Sequence, residues 1–192
     1  KIRNMNLLMA GPLAGTTALT TAAPITVSGA GCEITDCYIN YGVDVDQGVT
    51  IGVTTTAAAD DITIQNCDHR APTAAASAQL WINLIGTDHA RILDNIFTLV
   101  LENSATSTTL NVSTTAPTGI LIARNYICQT GGTTQDNFIS LVTSTIGLAA
   151  DNRIGGDVGT LAASVDLASV YGSENYVATT VNKSGILDPV VA

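Results

Sequence analysis

The chain has 192 residues, one domain's worth, with 12% charged side chains and a formal net charge of −9. Its seven Lys and Arg residues are scattered, so no basic stripe exists for nucleic acid or an anionic membrane surface, and both are excluded as expected partners. No apolar run approaches the roughly 18 residues a spanning helix needs. Glu occurs three times and Lys twice against 28 Thr, alongside abundant Ala, Val, Ile and Gly. That balance suits pleated surfaces and starves solvent-facing helices, so the chain reads as all-β.

From the first residues, one short pattern recurs: an apolar residue, two spacers, a small or amide residue, one spacer, then another apolar or ring side chain. Its centres fall at Met5, Cys37, Cys67, Asn95, Asn125, Asn152 and Asn175, with the shortest interval last. Regular recurrence on this scale marks a repeat architecture, one supersecondary unit stacked on the next. Each copy opens on a strand, seen best in Ile62–Ile64, Ala90–Ile92 and Ile120–Ile122. A kink such as Asp94-Asn95 or Asp151-Asn152 follows, where Asn and Asp tolerate left-handed backbone angles, and a short strand closes the motif.

A second apolar strand precedes each later motif. In chain order these are Ile25–Val27, Val49–Val53, Leu80–Leu84, Leu110–Val112, Phe138–Val142 and Val165–Leu167, all with near period-two alternation. Small polar loops at 71–77, 102–108 and 129–135 follow two of the corners. One coil therefore reads strand, loop, strand, bend, short strand, loop. Stacked coils make a right-handed parallel β-helix of about six to seven coils over residues 1–182, and residues 183–192 form a tail stopped by Pro189. Ile34, Ile64, Ile92 and Ile122 are expected to stack as a buried ladder. Asn95, Asn125, Asn152 and Asn175 should form an amide ladder continued by Cys67 and Cys37. Those two thiols read as buried and reduced, although neighbouring strands bring them close enough for a disulfide. The chain starts on Lys1 already in repeat register, which favours residues preceding it over processing of a longer leader.

Ile62–Cys67, Ala90–Asn95 and Ile120–Asn125 resemble the coil consensus of right-handed parallel β-helix proteins of the pectate-lyase-like superfamily, over roughly residues 2–177. More narrowly, the coil length, the Thr/Ala-rich loops and the phrase Leu148–Gly156 resemble β-helix structural proteins of tailed-phage virions. The second resemblance implies a non-enzymatic virion component, a capsid decoration, cement or head-fibre protein, forming a homotrimer on capsid or tail proteins. The alternative is a tail spike or adhesin that binds or cleaves polysaccharide.

The residues offer little catalytic chemistry. A calcium-dependent lyase needs clustered carboxylates and a basic residue. Asp44, Asp46, Asp60, Asp61, Arg91, Arg124 and Arg153 are the nearest candidates, but the arginines occupy different repeat positions. Asp36 and Asp94 share a repeat position two coils and about 10 Å apart with Asn66 between them, near the spacing of an inverting glycosidase pair, but Asx residues at a bend explain them without catalysis. His69 replaces an apolar repeat residue and His89 precedes a strand; both read as structural. Trp81, Tyr38, Tyr41, Tyr126, Tyr171 and Tyr176 are the rings available for sugar stacking, but with aromatics at 4% of the chain an extended glycan groove is poorly provisioned. Thr54–Thr56, Thr108-Thr109 and Thr114-Thr115 are expected in unequal loops, too irregular for an ice-binding lattice. No catalytic, cofactor or metal residue is assigned.

Overall fold

The computed structural model describes residues 1–8, 23–40, 51–71, 80–100, 108–130, 137–156, 165–166, 170–179 and 185–187, and among these no residue is helical. Coil by coil the strands are β1 (Ile2–Arg3), β2 (Asn6–Leu8) and β3 (Ile25–Val27); then β4 (Glu33–Thr35), β5 (Tyr38–Asn40) and β6 (Ile51–Thr55). Next come β7 (Thr63–Gln65), β8 (Asp68–Ala71) and β9 (Leu80–Leu84), followed by β10 (Arg91–Leu93), β11 (Ile96–Val100) and β12 (Thr108–Val112). The later coils hold β13 (Ile120–Ala123), β14 (Tyr126–Thr130) and β15 (Asn137–Leu141), then β16 (Gly147–Ala150), β17 (Arg153–Gly156) and β18 (Val165–Asp166). β19 (Tyr171–Ser173), β20 (Asn175–Thr179) and β21 (Gly185–Leu187) complete the series.

Every third strand pairs with the one a coil away, giving three sheets of seven, eight and six strands. Among the described residues all pairings are parallel except β20 with β21, where Gly185–Leu187 pairs antiparallel with the last second-sheet strand. The chain is thus a parallel β-solenoid, and the remainder of each coil supplies the long crossover that parallel pairing requires.

Register is set by one inward rank per sheet. In the first sheet Ile2, Ile34, Ile64, Ile92, Ile122, Ala149 and Gly172 lie in line, and Ile34, Ile64, Ile92 and Ile122 are all buried. The second sheet aligns Leu7, Ile39, His69, Phe97, Ile127 and Ile154; the third aligns Ile25, Val53, Ile82, Leu110 and Ile139. A slip of one residue would turn a whole rank outward, and each fully buried Ile is worth about 1.5–3 kcal/mol, so the register is strongly specified. Where the sheets face one another, the gap between Ile82, Leu84, Ile92, Leu110, Ile122 and Leu141 is too small to admit water.

The amide ladder forms inside the corner between first and second sheets. Asn95 Nδ2 donates to Ile64 O in the preceding coil (3.0 Å) and to Asn125 Oδ1 in the next (3.0 Å). Asn125 repeats this toward Ile92 O and Asn152 Oδ1, and Asn152 toward Ile122 O and Asn175 Oδ1. Each Oδ1 also accepts the backbone N–H of the ladder residue one coil earlier, beginning with Cys67 N at 3.0 Å. Cys67 imitates the amide: its thiol reaches Ile34 O at 3.5 Å and Gln65 O at 3.3 Å, and Cys37 reaches Thr35 O at 3.2 Å. All four cysteines are free. Burial pushes the Cys67 thiol up to about 12, so it stays protonated and able to donate.

The threonine expectation is corrected. Thr54-Thr55 and Thr108-Thr109 are strand residues of the third sheet, not loop residues, and Thr55, Thr108 and Thr109 are buried. Thr55 and Thr87 share a 2.6 Å hydroxyl hydrogen bond across coils, and Thr55 Oγ1 also accepts Ile85 N–H. Burial of the Thr55 hydroxyl is possible because the turn after the next third-sheet strand offers it backbone and hydroxyl partners. Residues 72–77, 102–107 and 131–135 of the polar loops lie outside the described residues.

Candidate functional site

Two outer corners carry most of the charge. At the first, the residue before each ladder position is left-handed: Asp36 (φ 57°), Asn66 (53°), Asp94 (55°), Arg124 (56°), Asp151 (56°) and Glu174 (53°). This backbone turns the following Asn or Cys inward and leaves its predecessor outside, so these six side chains form an exterior polar rank. Asp36 and Asp94 do share the rank, with Asn66 between them, and with Gln65 they line one open depression.

Their chemistry goes into holding coils together. Arg124 donates to both oxygens of Asp94, at 2.7 and 2.8 Å, and Gln65 Nε2 adds a third bond at 3.2 Å. The Arg124 guanidinium foremost, with Gln65 assisting, holds the Asp94 carboxyl below its usual range. A glycosidase acid must stay protonated near neutrality, which requires the opposite shift. Asp36 accepts from Asn66 Nδ2 at 2.7 Å.

The second corner, ahead of the first-sheet strands, is likewise left-handed at Gly31, Asp61, His89 and Gly119. Here Asp60 Oδ1 accepts Asp88 N–H (3.0 Å), and Asp88 Oδ1 accepts Thr118 N–H (2.7 Å) and Thr118 Oγ1–H (3.1 Å). His89 Nδ1 stands 3.6 Å from Asp61 Oδ1, both well exposed. Gly119 suits this corner: a Cβ there would meet the His89 ring at 2.6 Å and displace it, in a backbone conformation (φ 69°) that side chains disfavour.

The remaining candidates separate widely. Arg91 is on the outer rank of the first sheet between Thr63 and Leu121, Arg124 on the corner and Arg153 on the second sheet, three different ranks. Asp44, Asp46 and Tyr41 lie outside the described residues. Trp81 is buried and offers no sugar-stacking surface. His69 is fully enclosed and stacks on Phe97 with ring centroids 4.5 Å apart, and burial lowers its pKa to about 3. It is a neutral core ring, not a proton carrier at physiological pH. Among the described residues no group of three or more His, Cys, Asp or Glu converges as a metal cage.

The tyrosines do gather. The outer rank of the second sheet runs Asn6, Tyr38, Asp68, Ile96, Tyr126, Arg153 and Tyr176. Asp68 is engaged by Arg70 at 2.7 and 2.9 Å, which interrupts the rank near its start. In its second half Tyr126, Arg153 and Tyr176 line an open groove, together with Arg124, Asp151 and Glu174 from the corner. Glu174, Asp88 and Gln65 were not singled out from the sequence, and Asp151 was read only as part of the Asp151-Asn152 kink, not as a site residue beside Glu174. Aligning the repeats on the ladder residues pairs Asp151 with Glu174, each one position before an Asn.

Comparison with known proteins finds no matching family model, no matching curated protein and no matching solved structure.

Proposed function

We propose that this chain is a non-catalytic structural component of a tailed-phage particle, a capsid decoration, cement or head-fibre protein that assembles as a homotrimer on capsid or tail proteins. The non-catalytic part is supported by one observation: Asp94, half of the Asp36–Asp94 pair, spends both carboxylate oxygens on inter-coil hydrogen bonds from Arg124 and Gln65. The phage part rests on the resemblance of coil length and loop composition, together with a surface of low charge that can be covered by protein without desolvating many ions.

Two measurements test the proposal. Peptide mass spectrometry of density-gradient-purified particles from the strain encoding the chain should recover it at a stoichiometry tied to the major capsid or tail protein; its absence from the particles would refute the virion assignment. Incubation with acidic and neutral polysaccharides, with and without calcium, should release no oligosaccharide. Cleavage that disappears in Asp36→Asn or Asp94→Asn would make the chain a depolymerase instead.

A further inference from the structure

The geometry points to a glycan-binding site on the outer face of the second sheet, built by Tyr126, Arg153 and Tyr176 and edged by Asp151 and Glu174. Its ligand would be a neutral, extended, equatorially linked polysaccharide lying along the solenoid axis.

Four observations converge on this class. First, Tyr126 and Tyr176 remain 49% and 44% exposed although each carries a large apolar ring, and both line one groove of about 950 Å³. Second, they occupy the same rank, two coils apart in register with Arg153 between them. Parallel strands repeat about every 4.8 Å, so the two rings stand roughly 10 Å apart. An extended pyranose chain advances by a similar step per sugar. Its first and third residues can therefore stack their C–H faces on the tyrosines while Arg153 addresses the hydroxyls of the second.

Third, the polar groups are of the kind that reads hydroxyls. The carboxylates of Asp151 and Glu174 accept hydrogen bonds and the guanidinium of Arg153 donates them. Both carboxylates sit on the left-handed corner, fixed by the ladder residues Asn152 and Asn175 that follow them. Arg124, at the near edge, is already committed to Asp94, leaving Arg153 as the charged donor for ligand among the described groove residues, beside the phenol hydroxyls of Tyr126 and Tyr176. Fourth, charge selects against a polyanion: two carboxylates flank Arg153 and the chain carries −9 overall. The strands that carry the rings are already paired into a sheet, so binding orders side chains but no strand backbone, which limits its entropic cost.

The site is independent of the virion assignment, since it requires only the fold. Calorimetric titration of the purified chain with cellohexaose, N-acetylchitohexaose and hexagalacturonate tests it. At least one neutral hexasaccharide should bind, more tightly than hexagalacturonate. Tyr126→Ala and Tyr176→Ala should each weaken binding at least tenfold, and Arg153→Ala should do the same. Tyr171→Ala removes a ring that is 75% exposed on the first sheet, outside the groove, and should leave affinity unchanged. Circular dichroism on each variant separates loss of binding from loss of fold; if a tyrosine variant misfolds, Tyr→Leu at the same position replaces it. No binding by either neutral ligand at millimolar concentration, preference for hexagalacturonate, or equal weakening by Tyr171→Ala would each overturn the proposal.

Discussion

Asn125 shows how much one side chain can hold. Its Nδ2 donates to Ile92 O and Asn152 Oδ1, and its Oδ1 accepts from the backbone and the amide of Asn95, all buried. Asn125→Ala therefore strands donors and acceptors in two neighbouring coils as well as removing its own bonds. We expect a loss of about 2–4 kcal/mol, read from urea unfolding midpoints at constant slope. Asn125→Leu, nearly isosteric, should be no better, because the damage is to partners left unsatisfied. Recovery with Leu would mean that the ladder is packing rather than hydrogen bonding. At His69 the effect is one of pH. Its pKa falls from an unfolded value near 6.5 to about 3 in the fold, so below pH 6.5 the unfolded chain binds the extra proton. The stability contributed by the neutral ring is complete above pH 6.5 and is lost as pH falls toward 3, at up to about 1.4 kcal/mol per pH unit. Between pH 6.5 and 5 most carboxylates are still ionised, so this slope should be visible and should vanish in His69→Phe. An equal slope in that variant would place the titration elsewhere.

At the scale of one coil, the left-handed residue before each ladder position is the device that makes a corner. Asn66 (φ 53°) tests it, because its side chain makes only an exposed bond to Asp36. Asn66→Gly and Asn66→Ala lose that bond alike, yet Gly should be the more stable by about 1 kcal/mol, since a Cβ is strained in this conformation. Thermal midpoints in the reverse order would show that the corner relaxes to another backbone geometry. Corners of this kind were readable in the sequence as Asp-Asn pairs, and the ladder followed from spacing because Asn recurs where only an inward amide satisfies the turn. Other elements were not readable. Thr54-Thr55 and Thr108-Thr109 resemble loop composition, and bonds between coils, to Thr87 and from Ile85 N–H, account for the Thr55 hydroxyl inside the third sheet. Trp81 alternates with core residues in its own strand and would be expected outside, yet it is buried. The groove was legible only in part: Tyr126, Arg153 and Tyr176 each follow a ladder Asn, so spacing gives their shared rank, but not the open groove that they form with the corner carboxylates.

For the whole molecule, stability in a solenoid is close to a sum of coil terms and interfaces between neighbours, with few contacts skipping a coil. Register, not total length, should therefore decide whether a shortened chain folds. Deleting residues 67–94 joins Asn66 to Asn95 and removes one whole repeat. Ile64 then faces Ile122 in the first sheet, Val53 faces Leu110 in the third, and the ladder continues from Cys37 to Asn95. The variant should keep a β-type circular dichroism spectrum and a cooperative transition, at a reduced midpoint because one apolar layer and its interface are gone. Deleting residues 67–80 removes half a coil instead. It would bring third-sheet segments where second-sheet strands belong, filling the rank that His69 occupied with residues patterned for another face, and the cost recurs in every later coil. That chain should fail to give a cooperative transition. Equal folding of both deletions would mean that the ranks are interchangeable and that register does not carry the fold; failure of both would mean that the coils act as one indivisible unit rather than as stacked repeats.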